Sequence, residues 1–190
     1  MKKSIGAKPL AYPTPTYIVG TYDEEGNPNV ATIAWAGISK SNPPWVSIKI
    51  SNGKHSFKNI VRNKVFTVSI PSEEYMKEVD YMGIVSGSKE DKFKMTGLTP
   101  VKAEHVDAPY VKEFPLNLEC KVVNDIDLDF DKPIIGEIVD IKADEKILNE
   151  KGLPDVKKLK PLIYAPGTKE YYGVGEYVGK AFSAGLEIKK

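Results

Sequence analysis

Apolar and polar positions alternate with a period of two over several short stretches of this chain. Val46, Ile48 and Ile50 are separated by Ser47 and Lys49 and followed by Ser51, which predicts a strand with one apolar and one polar face. Leu116, Leu118, Cys120 and Val122 alternate in the same way. After Asn124 and Asp125 the alternation resumes at Ile126, Leu128 and Phe130, so a long strand with a bulge or bend is expected there, followed by another strand over residues 134–142. The β-rich runs YIVGTY (17–22) and VATIAW (30–35) flank DEEGNPN, whose Gly26, Asn27 and Pro28 are turn formers, and this predicts a hairpin.

A period near 3.6 appears in two places. In HSFKNIVRN the apolar positions Phe57, Ile60 and Val61 predict a helix over residues 56–62, and FTVSIP follows as a short strand stopped by Pro71. In EEYMKEVDYMGIVSG, Tyr75, Met76, Val79 and Met82 share one helical face, with Gly83 a weakening or stop signal and Gly87 ending the segment. The polar SGSKEDKFKMTGL reads as a loop with room for one helical turn. Residues 144–160 are charged and interrupted by Gly152 and Pro154, and PLIYAPG supplies one short apolar segment. Strands outnumber helices and their spacing is too irregular for repeated βαβ units. The expected class is α+β, mainly β, as an antiparallel barrel or sheet with helices on one side.

Composition narrows this only slightly. The 190 residues suit one domain spanning 1–190, and 41% hydrophobic with 28% charged residues is ordinary for a folded protein. Twenty-seven basic against twenty-six acidic residues leave a net charge of +1, which gives no electrostatic footprint for nucleic acid or an anionic membrane. The N-terminal MKKSIGAKPLAYPTPTY has no apolar run behind its lysines and no stretch of transmembrane length occurs, so the expected compartment is the cytoplasm. Cys120 is alone and cannot form an internal disulfide. Two histidines and one cysteine, scattered along the chain, predict no metal site, and no serine-histidine-aspartate arrangement or dinucleotide-binding GxGxxG stands out.

The run NVATIAWAGISKSNPPWVSIKISNGKHSFKNIVRNKVFTVSIP carries a denser pattern. A turn Gly26 and Asn29 precede a strand with Thr32 and Trp35; Ser39 lies in a segment ending in Pro43 and Pro44; Ser56 opens a helix; Ser86, Gly87, Asp91, Lys92 and Phe93 follow later. In order and spacing this resembles the flavin reductase-like, flavoredoxin-type proteins of the FMN-binding split-barrel class, over most of the chain. The resemblance implies an antiparallel split β-barrel that holds FMN and forms a homodimer. It also implies an FMN-dependent oxidoreductase passing electrons between NAD(P)H or a redox protein and an acceptor. The positions it marks for the cofactor are Thr32, Ile33, Ala34 and Trp35; Ser39, Lys40, Ser41 and Asn42; Lys54, His55 and Ser56; and Ser86, Gly87, Lys92 and Phe93. No residue is marked as catalytic.

The residue types are compatible with that assignment and also with plainer ones. A helix start at Ser56 offers free amides and a favourable dipole to a phosphate, with Lys54 nearby, yet a serine there also serves simply as an N-cap. Small residues such as Thr32 and Ala34 let a flat ring approach the backbone, or else pack a tight barrel interior. Trp35 is either a wall of the ring site or part of a core or interface. The prolines at 43 and 44 predict an open loop over 39–42 whose amides face outward, or an edge-strand connection. Lys92 is either a phosphate partner or one of a solvated charge run. Asp91 is expected to support its loop, and Tyr164, Tyr171 and Tyr172 to line the mouth of the site, the dimer interface or the core. A flavin-free β-barrel interaction module remains the second reading of the whole chain.

Overall fold

In the computed structural model, which describes residues 1–124 and 133–189, seven strands form one antiparallel sheet that curls into a half-barrel. In chain order the strands among the described residues are β1 (Thr14–Pro15), β2 (Tyr17–Tyr22), β3 (Pro28–Ile33), β4 (Ala36–Ser41), β5 (Pro44–Ile48), β6 (Val65–Ile70), β7 (Pro100–Lys102), β8 (Pro109–Val111), β9 (Leu116–Val122), β10 (Ile134–Ala143), β11 (Ile163–Ala165) and β12 (Glu170–Tyr172). The main sheet runs β3-β2-β6-β9-β10-β5-β4, β1 joins β11 and β12, and β7 pairs with β8. The helices are α1 (His55–Asn63), α2 (Met76–Ile84), α3 (Lys92–Thr96) and α4 (Val156–Leu159). No helix among the described residues is long and apolar enough to cross a membrane.

The alternation along the strands sorts side chains into two cores. Val19, Val46, Ile48, Phe66, Val68, Leu118, Cys120 and Ile138 share one core, into which Phe57 and Ile60 of α1 also pack. Ile18 and Val30 point the other way and pack under Val79 and Met82 of α2, Phe93 of α3 and Phe114. Burial of each large aliphatic chain contributes roughly 1.5–3 kcal/mol of transfer free energy, so a strand buried on both faces, as β2 is, anchors both layers. The Cys120 thiol is fully buried and burial pushes its pKa up, which leaves it an inert core group.

Several sequence expectations change in three dimensions. The segment 39–42 is not an open loop: Ser39, Lys40 and Ser41 belong to β4, which folds straight back on β5 with Ser41 opposite Pro44. Pro43 and Pro44 act at a tight reversal and at the first position of a strand, where a missing N–H costs nothing. β4 is an edge strand with Ile38, Ser39, Lys40 and Ser41 exposed, so it has no buried face to betray it in the sequence. β3 begins at Pro28, expected as turn, and stops at Ile33, before Trp35. Gly83 lies inside α2 rather than ending it, and Met76 points outward while Val79 and Met82 are buried. β10 carries a bulge between Ile138 and Asp140 that places Asp140 opposite Glu119. The strand expected around Ile126, Leu128 and Phe130 lies outside the described residues.

Candidate functional site

Where β3 runs out and α1 begins, the sheet leaves a cavity of about 280 Å³. Its wall is formed by Asn29, Ala31, Thr32, Ile33, Ala34 and Trp35 from β3 and its extension, and by Lys49, Ile50 and Ser51 after β5. Lys54, His55 and Ser56 at the start of α1, Met82, Gly83, Val85, Ser86 and Gly87 at the end of α2, and Lys92 and Tyr164 complete it. α1 is held in place by polar contacts as well as by its apolar face. Asn59 Nδ2 donates to Thr21 Oγ1 at 3.1 Å, and Asn63 Nδ2 to the Tyr22 carbonyl at 2.9 Å.

Lys54 is the N-cap, so Ser56 is the second helical residue and not the cap; no side chain caps this helix. The amides of His55 and Ser56 therefore open the helix without intrahelical acceptors, at its positive end. The Ser56 hydroxyl is buried and accepts from Asn29 Nδ2 at 2.8 Å, which leaves its own proton to donate. Asn29 is 5% exposed, and its Oδ1 is buried without a hydrogen-bond partner among the described residues. A Cβ at position 87 would lie 1.8 Å from that oxygen, so only glycine lets the 86–87 turn approach so closely.

Lys92 is not part of a solvated charge run. It is 5% exposed, and its ammonium donates to the carbonyls of Val30 and Met82, each at 2.7 Å, leaving one of its three donors. Burial, and then the neighbouring charge of Lys54, pulls its pKa down to about 8. Asp91 caps α3 by accepting from the Lys94 amide at 3.1 Å, a supporting role. Thr32 donates to the Val79 carbonyl at 2.6 Å and ties β3 to α2. Trp35 lines the cavity and is 43% exposed, and Tyr164 lines it with its ring 5.6 Å from that of Tyr171.

The structure thus brings Thr32, Ile33, Ala34, Trp35, Lys54, His55, Ser56, Ser86, Gly87 and Lys92 to one cavity. Ser39, Lys40, Ser41 and Asn42 are on the β4–β5 hairpin and do not line it. Ser39 Oγ donates to the Trp45 carbonyl at 3.4 Å, and Lys40 Nζ lies 4.0 Å from the centre of the Trp45 ring. Phe93 is 4% exposed and packs in the core beneath α2, because the residue after Lys92 on a helix faces a different direction. Asn29, Ala31, Lys49, Ile50, Ser51, Met82, Gly83 and Val85 were missed as lining. The one available signal was Asn29, which the flavin reductase-like pattern already includes and which stands as an amide beside the apolar Val30 and Ala31.

The sequence matches the flavin reductase like domain over residues 10–173. The chain belongs to this family. An uncharacterized protein from Archaeoglobus fulgidus is 30% identical over 145 residues, 76% of this chain and 80% of that protein. The flavoredoxin of Desulfovibrio vulgaris (Miyazaki F) superposes with a TM-score of 0.94 at 51% identity, covering 97% of this chain and all of that one. Flavoredoxin from Methanosarcina acetivorans gives 0.91 at 31% identity, with 99% of each chain covered. The antiparallel split barrel of the family is therefore the fold of this chain too.

Proposed function

We propose that this flavin reductase-like chain binds FMN in the cavity beside α1 and works as an oxidoreductase, moving electrons between NAD(P)H or a redox protein and an acceptor. The observation that carries the reading is the donor set gathered at one end of the cavity. The open amides of His55 and Ser56, the Ser56 hydroxyl, Lys54 and the remaining donor of Lys92 suit a doubly charged phosphate. The orphaned Asn29 Oδ1 suits a ribityl hydroxyl, a group that would satisfy a buried acceptor left unpaired among the described residues.

Toward the other end, Ala31, Thr32 and Ala34 offer short side chains to a flat ring, and Trp35 and Tyr164 line the same cavity. When bound, FMN supplies the redox chemistry of its isoalloxazine ring. The protein's part is to hold the phosphate, fix the ring against β3 and keep water from its face. His55 sits beside the phosphate donors at the first helical position, and its assigned part is binding. The same reading includes a homodimer in the cytoplasm, with the β4–β5 hairpin available to a second subunit.

The test is an absorbance spectrum of the protein as purified, followed by removal of flavin and titration with FMN. A yellow preparation, or saturable binding of one FMN per chain, is expected; a colourless protein with no saturable binding overturns the reading. Stopped-flow mixing with NADH and NADPH then separates the two donor classes. Rapid bleaching by either nucleotide identifies a reductase, and slow bleaching by both identifies a carrier reduced by another protein.

A further inference from the structure

Folding assembles a second group of charged side chains that are far apart in sequence. β9 carries Glu119 on its outer face, under the β7–β8 hairpin, and this carboxylate is fully buried. Its oxygens accept from the backbone amides of Glu104 at 3.3 Å and His105 at 2.6 Å. The bulge in β10 sets Asp140 directly opposite Glu119, so two carboxylates face each other across adjacent strands, an arrangement that is destabilising without a cation between them.

Lys142 answers only part of this charge. Its ammonium lies 2.8 Å from Asp140 Oδ2 and 2.6 Å from Glu104 Oε2. Among the described residues the ion pair recorded for Glu119 is with His105, which is charged only when protonated. With His105 neutral, three carboxylates face one ammonium.

Distances decide what the imidazole is doing. His105 Nδ1 is 3.5 Å from Glu119 Oε2 and 3.6 Å from Asp140 Oδ2. A charge-assisted N–H···O contact closes to about 2.7–2.9 Å, so these are too long for hydrogen bonds. They match the edge of about 3.4 Å between two ligand atoms that each lie about 2.1 Å from one tetrahedral ion. All three candidate ligand atoms lie within 4.8 Å of one another. The oxygen of Glu119 that faces the imidazole is already oriented by a backbone amide, which is the support a metal-bound carboxylate ordinarily has.

The geometry points to a binding site for a divalent cation of the zinc type, held by His105 Nδ1, Glu119 Oε2 and Asp140 Oδ2, which staples the β7–β8 hairpin to the outer face of the sheet. One imidazole and two carboxylates form a nitrogen and oxygen set suited to a borderline ion. Lys142 competes for the same Asp140 oxygen and must swing aside, a movement open to a side chain that is 37% exposed. The site is independent of the flavin cavity and of the function proposed for it.

Calorimetric titration of the full FMN-loaded protein with zinc chloride tests it. One zinc per chain is expected, with affinity falling at least about tenfold in His105→Ala and in Asp140→Asn. Lys142→Met should instead tighten binding, because it removes a like charge from the site. Glu119 is buried, so Glu119→Gln risks misfolding, whereas His105 and Lys142 are partly exposed and keep the test open. No saturable binding, binding indifferent to His105→Ala, or a Lys142→Met protein that binds no more tightly than the parent would each overturn the proposal.

Discussion

The cavity beside α1 and the cluster outside β9 each gather polar groups around a buried charge, Lys92 in the first and Glu119 in the second, and they have opposite sign. Around the cavity stand Lys54, Lys92 and the positive end of a helix, with neutral Asn29 and Ser56 between them. Around Glu119 stand two further carboxylates against the single ammonium of Lys142. A net charge of +1 for the whole chain hides both fields. Local burial, not total charge, decides what each could attract: an anion at the first and a cation at the second.

The sharpest way to separate the two regions is to dislodge the hairpin that covers one of them. A Cβ on Gly20 would lie 1.9 Å from the Pro109 carbonyl and 2.5 Å from Thr67 Oγ1, which itself donates to that carbonyl. Gly20→Ala is expected to cost roughly 3 kcal/mol or more, read by urea unfolding, and to abolish zinc binding before FMN binding.

Lys92 gives the next effect. Its folded-state pKa, about 8, lies below the ordinary lysine value, so the folded chain releases a proton that the unfolded chain still holds between pH 8 and about 10.5. Below that window the folded state carries the full cost of the buried charge, and stability recovers as pH rises through it, by at most on the order of 3 kcal/mol. Unfolding at pH 7.5 and 10 should show this rise relative to Lys92→Met. FMN-loaded protein should show less of it, because a phosphate favours the charged amine, and FMN affinity should fall over the same range.

Gly87→Ala forces the turn off Asn29 and should weaken FMN at least about tenfold, near 1.4 kcal/mol, while leaving zinc titrations unchanged. The smallest effect is expected at Lys40, where an exposed contact with the Trp45 ring is worth about 0.5–1 kcal/mol. Lys40→Ala should alter FMN affinity by less than about twofold. A tenfold loss would instead mean that the β4–β5 hairpin of a second subunit reaches the cavity.

Much of the fold was legible because its strands are half-buried. Val46 and Ile48, and Leu118 and Cys120, alternate with polar neighbours and so announce a face. β4 was not legible, since an exposed edge strand has no apolar face, and its two following prolines look like a loop until β5 is seen pairing with it. At the cavity, the start of α1 and the Ser86–Gly87 turn could be picked out by residue type and order. Phe93 could not, because adjacency to Lys92 in sequence is divergence on a helix. Lys92 itself reads as a surface lysine among SKEDK, and only the carbonyls of Val30 and Met82 account for its burial.

The sequence alone settled what depends on neighbours within a few residues: strand faces, the helix beginning near His55, the turn glycines and the ordered pattern of the flavin reductase like domain. Tertiary structure decided what depends on contacts between distant segments. It made Asn29 a buried partner of Ser56, stranded one of its oxygens beside Gly87, and turned Lys92 inward. It also placed His105, Glu119 and Asp140 within reach of one ion through a one-residue bulge that no local pattern announces. Periodicity encodes which way a side chain points, while the identity of the group it meets is fixed only when strands from across the chain come into register.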